Sequence, residues 1–97
     1  FQNGEAEGFG KMYYESGQLW MEKNFKNGKT EGIAKHYYGT GQLGGESNFK
    51  NGKLEGITRR YYKNGEYQYI DTYKDGKKIN KKSYTEKGQL KFEQDYP

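Results

Sequence analysis

Cysteine is absent from these 97 residues, which excludes disulfides and thiolate metal sites and leaves the redox compartment open. Valine is absent too, and four Leu, four Ile and five Phe make only 13 of the usual core formers. That is under the roughly one-fifth level at which disorder becomes the default expectation. No apolar run approaches the ~20 residues of a membrane span, so no transmembrane segment is expected. There is one histidine, His36, so a metal or catalytic site built on several histidines is excluded. The initiator methionine is missing and the chain opens in mid-repeat. That reads as a processed mature chain, a piece of a longer array or a trimmed chain. The cytoplasm is the default compartment, and an exported mature chain is compatible with the missing methionine.

What is present argues for order. Asn3-Gly4, Asn27-Gly28, Asn51-Gly52 and Asp75-Gly76 recur every 24 residues. A second series, Ser16-Gly17, Thr40-Gly41, Asn64-Gly65 and Lys87-Gly88, is spaced 24, 24 and 23. Phe25, Phe49, Tyr73 and Tyr96 keep the same beat. A period in this range marks units that cannot bury an apolar face alone and must stack on their neighbours. The eleven Tyr and one Trp supply large apolar faces that a count of aliphatic residues misses.

Asn-Gly between two β-rich runs is a strong hairpin signal, because both central residues of a type I′ turn need positive φ. The second series suits a four-residue loop on a type I turn with glycine in the left-handed position. The eight-residue stretches between turns are rich in Tyr, Phe and Ile and read as strands. The expected fold is all-β: a single-layer antiparallel β-meander of about four 24-residue two-strand repeats. One domain holds units near residues 3–26, 27–50, 51–74 and 75–97. The last unit is one residue short and puts Ile79 or Asn80 where earlier units have glycine, which marks it as an irregular C-terminal cap.

Strict alternation assigns the faces. One, expected to be packed, takes Leu19, Met21, Lys23, Phe25, Ala34, His36 and Tyr38, then Leu43, Gly45, Phe49, Thr58, Arg60 and Tyr62. On it the aromatic rings are expected to cover strand glycines such as Gly32 and Gly56. The other, mixed face takes Trp20, Glu22, Asn24, Ile33, Lys35 and Tyr37, then Glu46, Asn48, Ile57, Arg59 and Tyr61. There Tyr13, Tyr37, Tyr61 and Tyr84 form a column flanked by Lys11, Lys35, Arg59 and Lys82.

The net charge of +4 is uneven. Residues 1–49 carry five basic and six acidic side chains, and residues 50–97 carry twelve and seven. Lys77, Lys78, Lys81 and Lys82 crowd one stretch. Such a run serves either an anionic ligand or a solvated hairpin end that keeps a sheet edge soluble.

The segment Asn27-Gly28-Lys29-Thr30-Glu31-Gly32-Ile33, followed by Tyr37-Tyr38, Gly41-Gln42-Leu43, Glu46 and Asn48-Phe49-Lys50, largely repeats in residues 51–74. This pattern resembles the MORN-repeat variant family, whose bacterial members are commonly labelled YwqK-type antitoxin modules. The likeness covers nearly the whole chain and implies a repeat sheet serving as an attachment or interaction surface. A kinase label sometimes attached to such bacterial chains has no support in these residues, which show no kinase-type glycine loop and no catalytic Asp-Asn pair.

No arrangement committed to catalysis appears. His36 occupies a slot filled by Met12 and Arg60 in neighbouring units, so it reads as an interchangeable strand position. Glu22, Glu46 and Glu93 recur as a pattern and suit cross-strand pairing with Lys or Arg. Gly39-Thr40-Gly41 is not followed by the Lys-Ser/Thr of a phosphate loop. The chain is therefore expected to be no enzyme, with no cofactor and no metal. The leading reading is a scaffold for binding another protein, antitoxin-like or an adaptor by resemblance. Its contacts would be Trp20, Tyr13, Tyr37 and Tyr61, framed by Lys11, Lys35 and Arg59. The alternative is an anionic membrane surface or nucleic acid held by Lys77, Lys78, Lys81 and Lys82.

Overall fold

A computed structural model of the chain describes residues 8–97. Ten strands follow one another: β1 (Gly8–Tyr13), β2 (Leu19–Lys26), β3 (Lys29–Thr30), β4 (Gly32–Tyr37), β5 (Leu43–Lys50), β6 (Lys53–Leu54), β7 (Gly56–Tyr61), β8 (Tyr67–Lys74), β9 (Lys77–Tyr84) and β10 (Leu90–Asp95). They form one antiparallel sheet ordered β1-β2-β4-β5-β7-β8-β9-β10, with β3 beside β2 and β6 beside β5. The sheet measures 46 × 38 × 14 Å, the thickness of one layer. Among the described residues no hydrophobic side chain is fully buried, and Asp71 is the one buried charged side chain. Stability therefore rests on the backbone ladder and on contacts within each face, as the thin aliphatic content implies.

Three of the two-residue turns take the expected form, with positive φ at Asn27 (53°) and Gly28 (78°), and likewise at Asn51-Gly52 and Asp75-Gly76, while Asn3-Gly4 lies outside the described residues. Glycines 32 and 56 have a different purpose from the one alternation suggests. Each has positive φ (78° and 80°) just where β3 gives way to β4 and β6 to β7, so the backbone, not a covering ring, requires glycine there. Two extra residues enter the chain at this jog: Phe25 pairs with Thr30, yet Met21 pairs with His36. The short fourth unit lacks one residue here. Its β9 runs unbroken past a single extra residue, Ile79, between the Thr72–Asn80 and Tyr73–Lys78 pairs. A ring that does cover a glycine is that of Phe25, which lies over Gly10 closely enough that an added Cβ would sit 2.9 Å from it.

A one-residue bulge at the other end of each unit alters the facing. Met12 pairs with Met21 but Tyr13 pairs with Leu19, which leaves Trp20 extra. Gly44, Gln68 and Lys91 are the extra residues in the following units. An extra residue inverts alternation beyond it. Leu19 and Leu43 therefore stand opposite Tyr13 and Tyr37 on the mixed face, not with Met21 and Phe49. Trp20 moves the other way: its ring is 6.2 Å from that of Tyr14. A side chain at the equivalent Gly44 would meet His36 and Tyr38.

Successive repeats are fastened by side chains that alternation alone does not single out. The hydroxyls of Tyr14 and Tyr62 donate to the carbonyls of Tyr37 and Tyr84, both at 2.7 Å, and Tyr38 does the same to Tyr61. The carboxylates of Glu31 and Glu55 accept the backbone N–H of Asn51 and Asp75, each at 3.0 Å, and so clamp the next hairpin turn. Among the described residues one buried side-chain polar atom is left over. The Thr58 hydroxyl is buried without a hydrogen-bond partner. Thr58→Val keeps the shape and removes that desolvated group, so the urea midpoint should stay level or rise, by up to about 1 kcal/mol. A clear fall would show that the hydroxyl makes a bond in solution.

Candidate functional site

The mixed face is built of three rungs that cross the strands. The first runs through Tyr13, Leu19, Tyr37, Leu43, Tyr61, Tyr67, Tyr84 and Leu90, successive members lying opposite one another within each β-hairpin. Tyr61 and Tyr67 stack with centroids 5.3 Å apart, and Tyr84 joins them at 5.9 Å from Tyr67. The second rung alternates in charge: Lys11, Glu22, Lys35, Glu46 and Arg59, each the cross-strand partner of the next. It continues through Ile70 to Lys82 and Glu93. The third carries Phe9, Ile33 and Ile57 opposite Asn24, Asn48 and Thr72.

The structure thus brings together Tyr13, Tyr37, Tyr61, Lys11, Lys35 and Arg59, as expected, and separates Trp20 from them. It also commits some of them to neighbours. The Tyr37 hydroxyl donates to Glu22 at 2.8 Å and that of Tyr61 to Glu46 at 3.4 Å. Burial pushes the Tyr37 hydroxyl pKa above its ordinary value, and the Glu22 hydrogen bond and charge add to this. Tyr61 is raised as well, by burial first and then by Glu46. Arg59 lies 3.4 Å from the Glu46 carboxylate. The side chains that remain open are chiefly apolar: Phe9 is 72 % exposed, Tyr13 57 %, Ile33 55 % and Leu90 54 %. Reading the columns for Tyr and charge left out Phe9 and the Ile33–Ile57 pair as contacts, although their 24-residue spacing was the available signal.

The opposite face holds an open groove of about 320 Å³ lined by Met21, Lys23, His36, Phe49, Arg60 and Tyr69. It exists because Gly44-Gly45 stands where the flanking units have Trp20-Met21 and Gln68-Tyr69. His36 sits there against Tyr38, and burial, with Arg60 nearby, lowers its pKa. The expected face is right for His36, but it is packed only by its own side chains.

The four lysines proposed for an anionic ligand do not form one patch. Lys78 and Lys81 both turn to Asp71, at 3.3 and 3.4 Å. The Lys81 ammonium lies 4.1 Å from the Tyr69 ring centroid, and that of Lys78 lies between Tyr73 and Tyr96. Lys82 belongs to the charged rung on the other face, and Lys77 pairs with Lys74 at the hairpin end. The buried carboxylate supplies the reason: it draws two of the four inward. Among the described residues there is no group of three or more His, Asp or Glu able to hold a metal. None of these residues forms a helix long and apolar enough to cross a membrane.

The sequence pattern of the MORN repeat variant matches residues 2–27, 30–51 and 54–75, three of the four units seen in the sheet. The chain belongs to the MORN repeat variant family. MORN repeats are in general non-enzymatic binding modules for proteins or membrane lipids. In this MORN chain residues 76–97 lie outside the match, which agrees with the altered jog in β9. No curated protein sequence matches the chain.

Proposed function

We propose that this MORN sheet is a non-catalytic scaffold that binds a protein partner through its mixed face, in an adaptor-like or antitoxin-like role. The observation that carries this reading is the pair of exposed apolar rungs flanking a rung of alternating charge. Phe9, Ile33 and Ile57 lie on one side, and Tyr13, Tyr67 and Leu90 on the other. Exposed apolar groups in contiguous rows mark interaction sites. The alternating charges set the register of a bound chain without favouring one sign of ligand. Repetition about every 10 Å, two strand spacings, suits an extended partner.

The same surface argues against a purely electrostatic ligand, because Glu22, Glu46 and Glu93 interleave with its cations, and on the opposite face Asp71 holds Lys78 and Lys81. The test is capture from the native host, with intact flanking sequence, using three proteins: the parent, Ile33→Asp/Ile57→Asp, and Lys77→Gln/Lys82→Gln. Capture of one partner that fails with the aspartates, survives the glutamines and changes little with salt is the expected result. Loss with the glutamines alone, with log affinity falling steeply against log salt, rejects the reading in favour of an anionic ligand.

A further inference from the structure

The side-chain-to-backbone fastenings between repeats all point one way, while the side-chain pairs Tyr37–Glu22 and Tyr61–Glu46 run back to the preceding unit. Tyr14, Tyr38 and Tyr62 each reach forward to a carbonyl of the following unit, at Tyr37, Tyr61 and Tyr84. Glu31 and Glu55 reach forward to the next turn, at Asn51 and Asp75. Gln18 likewise lies against the next loop's Gly41, and Gln42 against Gly65. Each unit therefore presents these side-chain fasteners on its later edge and the backbone groups that meet them, carbonyl acceptors and N–H donors, on its earlier one.

Among the described residues, the two outer edges of the sheet are consequently unlike. On the β1 edge, the Tyr13 carbonyl corresponds to those of Tyr37, Tyr61 and Tyr84, but no tyrosine hydroxyl reaches it among the described residues. A Cβ added at Gly17, the counterpart of Gly41 and Gly65, would meet nothing within 4 Å among the described residues. On the β10 edge the glutamate and tyrosine fasteners are missing, although Gln89 keeps the slot of Gln18 and Gln42. Ile79 stands in the slot of Glu31 and Glu55, and Thr85 in the slot of Tyr14, Tyr38 and Tyr62. The Thr85 hydroxyl is turned into its own loop, accepting the N–H of Lys87 and Gln89, both at 3.3 Å.

We infer that the stack is directional: the β1 edge accepts a further repeat of the same motif, and the β10 edge does not. The occupant is a β-hairpin with Tyr in the slot of Tyr38 and Glu in the slot of Glu31. A second copy of this chain does not qualify, because the later edge it offers carries Ile79 and Thr85. A sheet with two open edges would otherwise risk head-to-tail filaments; the mismatch keeps this one from them. This concerns the sheet edges and stands independently of the mixed face.

The test is to add a copy of residues 27–50 to the full chain. In one protein it replaces Phe1-Gln2. In a second it follows Tyr96, with Pro97→Lys as the junction. A third is the second with Ile79→Glu and Thr85→Tyr. The first should show a higher urea midpoint and an m value larger by about a quarter, since m scales with the surface exposed on unfolding. The second should show neither, and the third should recover part of both. Tyr→Phe at the copied Tyr38 slot should reduce the gain in the first protein. Equal gains at both ends, no gain at the β1 end, or a gain unaffected by that Tyr→Phe change each overturn the inference. So does concentration-dependent head-to-tail assembly of the unaltered chain in sedimentation.

Discussion

Replacing Asp71 with Asn is expected to lower the stability of the sheet by about 2–3 kcal/mol, read from urea midpoints at neutral pH. Asp71 is 3 % exposed and is held by Lys78 at 3.3 Å and Lys81 at 3.4 Å. Removing one member of a buried charge pair usually costs about 3–5 kcal/mol because the other charge is left stranded. Here both lysine side chains, 31 % and 23 % exposed, can turn to water, which places the loss below that range. The pH dependence follows from Lys78. Burial alone would depress its pKa, but the hydrogen bond and charge of Asp71 outweigh this, and the net shift is upward from 10.5. A raised pKa means that the contribution is complete below pH 10.5 and is lost as pH rises through the higher folded value. The gap between the parent and the Asn protein should therefore hold from neutral pH to about 10 and narrow above it. A gap that is absent at pH 7 would show that the three charges are solvated separately.

Gly45→Ala should cost about 1–3 kcal/mol, the range for an overpacked site. An added Cβ would lie 2.8 Å from the Arg59 carbonyl oxygen, and that oxygen belongs to the β7 backbone, so β5 and β7 must separate. Met21 and Tyr69 occupy the equivalent positions in the flanking units, so the repeat itself tolerates a side chain there. What opposes it at residue 45 is the Arg59 carbonyl oxygen, and the groove left by Gly44-Gly45 lies beside it. Thermal unfolding of the Ala protein checks this. An unchanged midpoint would mean that β5 and β7 open without penalty and that the groove is not a rigid feature.

How much was legible in the sequence differs from element to element. The turns were fully legible, because Asn-Gly and Asp-Gly at a 24-residue spacing select one backbone geometry by local sterics, and the φ values at Asn27, Asn51 and Asp75 follow. The mixed-face cluster was legible for Tyr13, Tyr37, Tyr61, Lys11, Lys35 and Arg59, since alternation holds between bulges. It failed for Trp20, Leu19 and Leu43, because a bulge leaves no compositional mark: its extra residue is Trp, Gly, Gln or Lys in the four units. The lysine run misled for a related reason. Charge density along the chain does not tell which lysines share a face, and a second bulge at Ile79 and one buried aspartate divided them.

The sequence by itself determined the repeat, its length, the all-β meander and the membership of the MORN repeat variant family. Each depends on local turn chemistry or on a motif written in consecutive residues. Only the tertiary structure decided which side chains share a face, that Tyr14, Tyr38 and Tyr62 fasten one unit to the next, and that Asp71 captures Lys78 and Lys81. Those outcomes depend on strand register, and register in this sheet is shifted once or twice per unit by single extra residues. A one-residue shift moves a side chain to the opposite face.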